Sequence, residues 1–311
     1  MDADNRYVRF DWAVKRMLRD KANFGVLEGL ITVLLNEPVH IVELLESEGN
    51  QETADDKFNR VDIKARNDRD EIFLVEVQLT REVHYLERML YGTAKAITEH
   101  IGIGDDYDKV KKVYSINIVY FDLGKGSDYL YHGRNTFRGV HTGDTLTISA
   151  REKDGILRMR TPEDVFPEYF IIRVNEFNDV ATTPLEEWLD YLKNNHIKDD
   201  TQAPGLQEAR QKLQYLMMSP AERNAYFEHI NAIRIQNDVL GNTRAEGLAE
   251  GRAEGLAEGR AEGLAEGRAE GLAEGRAEEK LSIARSLKQM GMPDTDIAKV
   301  TGLALEKIVD L

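Results

Sequence analysis

The stretch from Arg60 to Leu79, R-V-D-I-K-A-R-N-D-R-D-E-I-F-L-V-E-V-Q-L, decides the fold of this chain. Its two ends, 60–66 and 72–79, are rich in the apolar and β-branched residues that favour strands. The polar turn N67-D-R-D70 lies between them and interrupts the apolar pattern. The stretch therefore predicts a β-hairpin.

Three polar side chains of this hairpin carry its candidate chemistry. Asp62 lies on the first predicted strand, and Glu76 and Gln78 lie two residues apart on the second, so they share a face. A carboxylate among apolar strand residues is costly unless it is paired or bound to a cation. The pattern predicts Asp62 and Glu76 as ligands of Mg²⁺, with Mn²⁺ as the alternative ion, and Gln78 as the group that orients water or substrate. The competing interpretation is a surface hairpin with ordinary acids.

The segments around the hairpin predict an α/β fold in the order helix, three strands, helix, strand. Apolar residues at helical spacing indicate helices at 11–35 and 81–101. Further strands are predicted at 40–45, 113–121, 145–150 and 169–174, and further helices at 184–194 and 206–218.

Composition narrows the class of protein. The chain has 311 residues, of which 41% are hydrophobic and 31% charged, and no segment approaches the roughly 20 apolar residues that span a bilayer. We expect a cytoplasmic protein without membrane association. Because the chain has no cysteine, any metal must be held by oxygen or imidazole ligands.

The charge of the chain limits how it can contact nucleic acid. Its formal net charge is −15, whereas phosphate binding depends on Lys and Arg. The stretch 244–279 contains ten Glu and five Arg, which leaves the remainder acidic as well. Any contact with DNA must therefore be local.

A repetitive tract lies towards the end of the chain. From Gly247 to Gly275, glycine recurs at every fourth residue in alternating Gly-Leu-Ala-Glu and Gly-Arg-Ala-Glu units. Two interpretations remain open: close helix contact between chains, or a helical linker of variable length. Beyond it, short helices with Gly302 at the second turn have a helix-turn-helix outline, which predicts either DNA binding or helical self-association.

A set of motifs resembles a known family. R60-V-D-I-K-A, L74-V-E-V-Q and E87-R-M-L-Y resemble the recombination-promoting nuclease and transposase family of the PD-(D/E)XK nuclease superfamily, and further stretches agree: D11-W-A-V-K, Y114-S-I-N-I-V-Y-F and I297-A-K-V-T-G-L. The resemblance implies a restriction-endonuclease-like core, Mg²⁺-dependent cleavage of DNA, and a link to recombination or mobile elements. It makes Asp62 and Glu76 metal ligands and puts Gln78 at the position where the superfamily usually has Lys.

Four further residues are candidates for phosphate binding or support. Arg88 and Tyr91 share a helix face, so Arg88 is predicted either to contact phosphate or to pair with an acid such as Glu87 or Glu76, and Tyr91 either to position phosphate or to pack on the core. Lys15 matches a Lys of the family pattern, although a surface Lys needs no special role. Lys64 is a candidate for the missing positive charge.

These observations lead to one preferred organisation. We expect a nuclease-like core at 1–180 with a mixed sheet of three to five strands, a helical extension at 181–240, the repeat tract at 241–279 and a C-terminal helical element at 280–311. The predicted function is a metal-dependent DNA endonuclease that forms a dimer or higher oligomer through its tail. The alternative is a catalytically weak or inactive nuclease fold that acts as an oligomeric interaction module.

Overall fold

In this computed structural model, the described residues are 7–16, 18, 20–46, 61–151 and 157–311. The chain divides into two compact units, Met1–His229 and Ile230–Leu311. The strands in chain order are β1 (Ile41–Leu45), β2 (Ile63–Asn67), β3 (Ile72–Gln78), β4 (Val113–Val119), β5 (Leu130–Gly133), β6 (Ile148–Arg151), β7 (Leu157–Arg160) and β8 (Glu168–Arg173). The helices are α1 (Phe10–Arg16), α2 (Phe24–Leu35), α3 (Tyr85–Thr98), α4 (Pro184–Asn194), α5 (Leu206–Lys212), α6 (Pro220–Gln289), α7 (Asp294–Thr301) and α8 (Leu305–Val309).

A mixed sheet forms the centre of the first unit. Its six strands lie in the order β1-β2-β3-β4-β8-β5, and β6 and β7 form a separate two-stranded sheet. Strands β3, β4 and β8 are parallel to one another, whereas β1, β2 and β5 are antiparallel to their neighbours. Every residue of β4 is buried, as expected for a central parallel strand with both faces covered.

The predicted hairpin is present as β2 and β3, with Ile63 opposite Val75. The expectation of three to five strands is wrong by one strand, because the edge strand β5 was not predicted. That strand has four residues, too few for an alternating pattern to stand out. The strand predicted at 145–150 corresponds to β6, which lies outside the main sheet.

The helical prediction at 11–35 corresponds to two helices. α1 ends at Arg16 and α2 begins at Phe24, after a short 3₁₀ turn at Lys21–Asn23. The side chain of Asp20 accepts a hydrogen bond from the backbone N–H of Ala22, which favours a new start at that point. Hydrophobic spacing continues across such a break, so periodicity alone could not reveal it.

Helix α3 covers one face of the sheet and positions the candidate site. Leu74 and Val113 pack against Ala96 near the end of α3. Val119 packs against Tyr85 and Met89 at its start. The helix therefore lies along the face of β3 and β4 that carries the polar residues described below.

The second unit consists of residues 230–311. Its small core contains Ala284, Ile297 and Ile308, one from each of α6, α7 and α8. The helix predicted at 283–290 is the end of α6 and not a separate element. Gly302 ends α7 in the left-handed conformation with φ 70°. In the part of the chain that the structure describes, no helix is long and apolar enough to cross a membrane.

Candidate active site

Polar side chains converge on the α3 face of the sheet, near the carboxyl ends of β3 and β4. The parallel register pairs Leu74 with Ser115 and Glu76 with Asn117, so these four side chains share one face. Gln78 is the last residue of β3 and follows on the same face. Ligands in open α/β sheets generally bind beyond the carboxyl ends of the strands, which makes this edge the candidate site.

The sequence predicted Asp62 on the first strand of the hairpin. In the structure it lies immediately before β2, because strand pairing begins only at Ile63. Its Oδ2 accepts a hydrogen bond of 2.8 Å from the backbone N–H of Val77. The carboxylate thus continues the hydrogen bonding between β2 and β3 past the end of the main-chain ladder. Its other oxygen, Oδ1, is 3.8 Å from the ammonium nitrogen of Lys15 on α1.

Glu76 is the buried acid of the site, since its side chain is only 12% exposed. One guanidinium nitrogen of Arg88, on α3, donates to Glu76 Oε1. Burial raises the pKa of the Glu76 carboxyl to about 7; Arg88 and Lys15 oppose the rise, and the nearby negative charge of Asp62 adds to it. The electrostatic coupling of Glu76 with Asp62 and Lys15 places the three groups in one site.

Gln78 is held by groups that can only accept hydrogen bonds from its amide. Its Nε2 donates to the backbone carbonyl of Thr80 over 3.1 Å and to Glu82 Oε1 over 3.0 Å. Since both partners are acceptors, the amide orientation is fixed by the network, and the carbonyl oxygen of Gln78 remains for a ligand. Arg88 donates to the same oxygen of Glu82, so Glu82 joins Gln78 to the guanidinium that holds Glu76.

A small cavity lies beneath Glu76, between the sheet and α3. It is lined in part by Glu76, Tyr85, Ser115 and Asn117, and it offers about 20 Å³ to the centre of a water molecule. Asn117 accepts a hydrogen bond of 3.3 Å from the Tyr85 hydroxyl and donates to Ser115 Oγ over 3.0 Å. The volume and the polar lining suit one bound water.

The structure brings most of the predicted site residues together. Lys15 and Arg88 lie beside Asp62 and Glu76, respectively, whereas Tyr91 is half-buried on α3. The buried ammonium of Lys64 is paired with Glu99 Oε2 at 2.5 Å, near the far end of α3. In the structure it is therefore engaged with its own acid, and its role as the missing positive charge stays a prediction.

The sequence reasoning missed Glu82, Tyr85, Ser115 and Asn117. Ser115 and Asn117 alternate with apolar residues in β4, which is the same signal that identified Glu76 in β3. Applied to both strands, that criterion would have found them. Glu82 carried no comparable signal, because it lies in a polar turn where acids are common.

The oxygen ligands that Asp62 and Glu76 offer fit a hard divalent cation that takes its remaining ligands from water and substrate. Among the described residues, no group of three or more His, Cys, Asp or Glu side chains is arranged to hold a metal. Two carboxylates, Asp62 and Glu76, are nevertheless sufficient for Mg²⁺, which usually keeps several waters and binds one or two carboxylates together with substrate phosphate. Burial raises the pKa of Glu76, because the positive charges of Arg88 and Lys15 do not fully offset the loss of hydration of its carboxylate. A bound cation would stabilise the charged carboxylate.

Comparison with known proteins agrees with this description. A family model for PD-(D/E)XK nuclease family transposases matches residues 8–149, which include the strands β1 to β4 and the three central residues Asp62, Glu76 and Gln78. Neither the curated proteins nor the solved structures gave a match.

Proposed function

We propose that this chain, whose residues 8–149 match the family model of the PD-(D/E)XK nuclease family transposases, is a Mg²⁺-dependent DNA endonuclease. The observation that carries the proposal is the proximity of two acids near the carboxyl ends of the strands: Asp62 accepts from the N–H of Val77, the residue that follows the largely buried Glu76. The match to this family supports a nuclease. The metal, the endonucleolytic mode and the roles of the individual residues are the proposal.

Asp62 and Glu76 would hold the ion, and Mn²⁺ could replace Mg²⁺ there. When bound, the ion lowers the pKa of a coordinated water and stabilises negative charge on the phosphodiester. Glu76 must release its proton to become a ligand, since its pKa of about 7 leaves it partly protonated near neutrality. Arg88 holds the Glu76 carboxylate in place and supplies positive charge beside it.

Gln78 orients the attacking water in this proposal. Its amide nitrogen is committed to Thr80 and Glu82, so the carbonyl oxygen is the atom that accepts a hydrogen bond from the water. The positive charge that the superfamily obtains from Lys comes here from Lys15 and Arg88. Lys15, whose side chain is 45% exposed, is the one with room to approach a phosphate.

The proposal is tested by incubating the full chain with supercoiled plasmid, with and without Mg²⁺, beside Asp62→Ala and Glu76→Ala. We expect nicking that depends on the metal and is lost in both variants. Asp68→Ala is the matched control, since Asp68 is an exposed acid in the turn of the same hairpin. Nicking that survives in both site variants would refute the assignment of the site.

The second candidate function is an inactive nuclease fold that acts as an oligomeric interaction module. The observation in its favour is the neutral Gln78 at the usual Lys position. An absence of nicking with both Mg²⁺ and Mn²⁺, in a protein that still assembles, would select this function over the first.

Assembly through the tail is part of the proposal in either case. The leucines of the tract, including Leu248, Leu256 and Leu264, are exposed on α6 at intervals of eight residues, so they wind slowly around the helix, and contact with a second copy of the chain would bury them. A dimer would also bring two active centres to the two strands of DNA. Deletion of 244–311 should lower the number of chains per particle, measured by light scattering, and an unchanged number would exclude this role.

For the biological role we propose DNA recombination, mobility of genetic elements or defence against foreign DNA, consistent with the transposase description of the family. The C-terminal helices α7 and α8 are proposed to serve self-association. DNA binding by these helices is the alternative, and the deletion variant tests both through its mass and its affinity for DNA.

A further inference from the structure

The loop Gly124–Asp128, which follows β4, has a construction that none of the assigned roles explains. Its sequence is G124-K-G-S-D128. The chain as a whole carries a net charge of −15, so any site that receives DNA phosphate must be built locally. Backbone N–H groups can serve this purpose, because they bind phosphate without a surrounding excess of Lys and Arg.

The loop leaves the sheet at the same edge as the candidate active site. At that edge the N–H of Tyr120, just after β4, donates to the backbone carbonyl of Gln78 over 3.0 Å. Leu123 then packs with Tyr85 and Met89 at the start of α3. The loop therefore begins beside the strand that carries Glu76 and Gln78.

A buried arginine shapes the loop from within. The side chain of Arg173, 6% exposed at the end of β8, donates to the carbonyl of Gly124 over 2.8 Å and to that of Gly126 over 3.0 Å. Because C=O and N–H of a trans peptide point in opposite directions, the N–H groups of Lys125 and Ser127 point away from Arg173. Neither N–H has an acceptor within the described part of the chain.

Two glycines permit this backbone conformation. Gly124 and Gly126 have φ values of 146° and 153°, which residues with a side chain rarely adopt. A Cβ at Gly126 would also lie 2.0 Å from the hydroxyl oxygen of Tyr131. The outward turn of the two N–H groups thus depends on specific residues and is not a general property of a surface loop.

Three acids near the loop have partners of their own. Asp122 Oδ1 accepts from the N–H of Gly124 at 3.0 Å and lies 3.6 Å from Arg173. Asp128 Oδ1 accepts from the N–H of Leu130 at 3.2 Å, and Glu176 pairs with Arg173 at 3.3 Å. The two N–H groups, the exposed Lys125 side chain and the exposed Ser127 hydroxyl lie between Asp122 and Asp128, which are exposed as well but accept hydrogen bonds from the loop backbone.

We propose that the Gly124–Asp128 loop is a phosphate-binding site for the DNA backbone, with the N–H groups of Lys125 and Ser127 as donors. Lys125 adds an exposed positive charge, and Ser127 adds a hydroxyl donor. The loop would hold the strand next to the catalytic edge. The nature of the ligand rests on the proposed function, whereas the site itself rests on the loop geometry.

The test follows the backbone amide signals of Lys125 and Ser127 by ¹⁵N NMR in the full chain, with Ca²⁺ in place of Mg²⁺ to prevent cleavage. One titration uses a short DNA duplex and another uses inorganic phosphate at the same ionic strength. We expect both amide signals to shift saturably with the duplex. A response to inorganic phosphate alone would overturn the DNA assignment, and no response to either would overturn the site.

Two variants add a measurement of affinity. Lys125→Ala should weaken duplex binding and reduce the slope of log affinity against log salt by about one. Gly126→Ala should weaken binding further at every salt concentration, because it displaces the N–H donors. Lys109→Ala is the matched control, since this exposed Lys lies before β4 at the opposite edge of the sheet. An equal loss in Lys109→Ala and Lys125→Ala would refute the loop as the contact.

These measurements separate the site from the proposed nuclease activity. A protein that binds the duplex through the loop but never nicks plasmid would retain the site and lose the endonuclease proposal. A protein that nicks plasmid with unmoved Lys125 and Ser127 signals would retain the endonuclease and lose the site.

Discussion

Asp62 and Val77 are joined by a hydrogen bond of 2.8 Å from the backbone N–H of Val77 to Asp62 Oδ2. The bond connects the two sides of the hairpin at Asp62, the residue immediately before β2. Asp62 therefore has a structural contact as well as its proposed role as a metal ligand. Two substitutions at this position separate the two roles.

Asp62→Asn should keep the hydrogen bond, because the amide oxygen can accept from Val77 N–H, and should lose the negative charge. Asp62→Ala removes both and should lower the free energy of unfolding by about 1–2 kcal/mol. We expect both variants to lose Mn²⁺ binding in calorimetry, and only Asp62→Ala to unfold at lower urea concentration. Retention of Mn²⁺ affinity in Asp62→Asn would contradict a ligand role.

The pKa of Glu76, about 7, predicts how metal binding depends on pH. Below that value the carboxyl is protonated and the proton competes with the metal, so the affinity for Mn²⁺ should rise about tenfold per pH unit up to about pH 7 and then level off. Calorimetry across this range measures the dependence. Glu76→Gln cannot titrate and should bind weakly without the rise; a rise of the same size in this variant would point to another group.

The same proton affects stability in the absence of metal. The folded protein holds it up to about pH 7, whereas an unperturbed Glu releases it near 4.5. Stability should therefore fall as the pH rises between these values, by roughly 3 kcal/mol at most. Urea unfolding of the wild type should show this fall, and that of Glu76→Gln should lack it.

Glu82 links Gln78 and Arg88, and its loss should affect turnover more than metal binding. Glu82→Ala frees the Gln78 amide to rotate, so the oriented carbonyl oxygen is lost while Asp62 and Glu76 remain. We expect kcat for nicking to fall about tenfold with little change in Mn²⁺ affinity. Glu87→Ala is the control, since Glu87 is an exposed acid of the same helix. Equal effects in the two variants would exclude a specific role for Glu82.

The glycines of the tract offer a test of its two interpretations. A Cβ at Gly255, Gly259 or Gly263 would meet nothing within 4 Å in its own chain, and α6 is helical there. Replacement by Ala should therefore stabilise the helix by about 1 kcal/mol per site. If the tract is a linker, the protein should keep its oligomeric state, measured by light scattering, while its helical content and melting temperature rise.

If the glycines instead allow close contact between chains, the same Ala substitutions should dissociate the oligomer, because each added Cβ separates the backbones. Substitution of Arg252 and Arg260 by Lys, which leaves the glycines intact, serves as the control. An oligomer that survives the Ala substitutions would leave the tract as a linker.

Local sequence features predicted much of the first unit. The strand β3 and the helix α4 agree closely with their predicted ranges, because the apolar pattern of a strand and the capping residues of a helix are both local features of consecutive residues. β5 and the break between α1 and α2 were missed. The strand β5 has only four residues, too few for a clear pattern. The break between α1 and α2 interrupts the helical hydrogen bonds but not the spacing of apolar residues, so the sequence pattern does not show it.

The candidate site was predicted in part for the same reason. Acids among apolar strand residues are visible in the sequence, so Asp62 and Glu76 were predicted together as candidate ligands. For Arg88 the sequence left Glu87 and Glu76 open as partners, and the contact of Lys15 with Asp62 was not visible, because the two residues are distant in the chain. Arg88 lies 12 residues from Glu76, and several acids lie equally near it in sequence.

The sequence by itself determined which strands carry polar residues on one face, because that pattern has the period of the strand. Only the tertiary structure decided which charges meet. It turned the amide of Gln78 towards Glu82, and it placed Arg173 on the carbonyl of Gly124, 49 residues away in the chain. Such contacts are set by the packing of whole elements, which brings distant groups into a low-dielectric interior where each must find a partner.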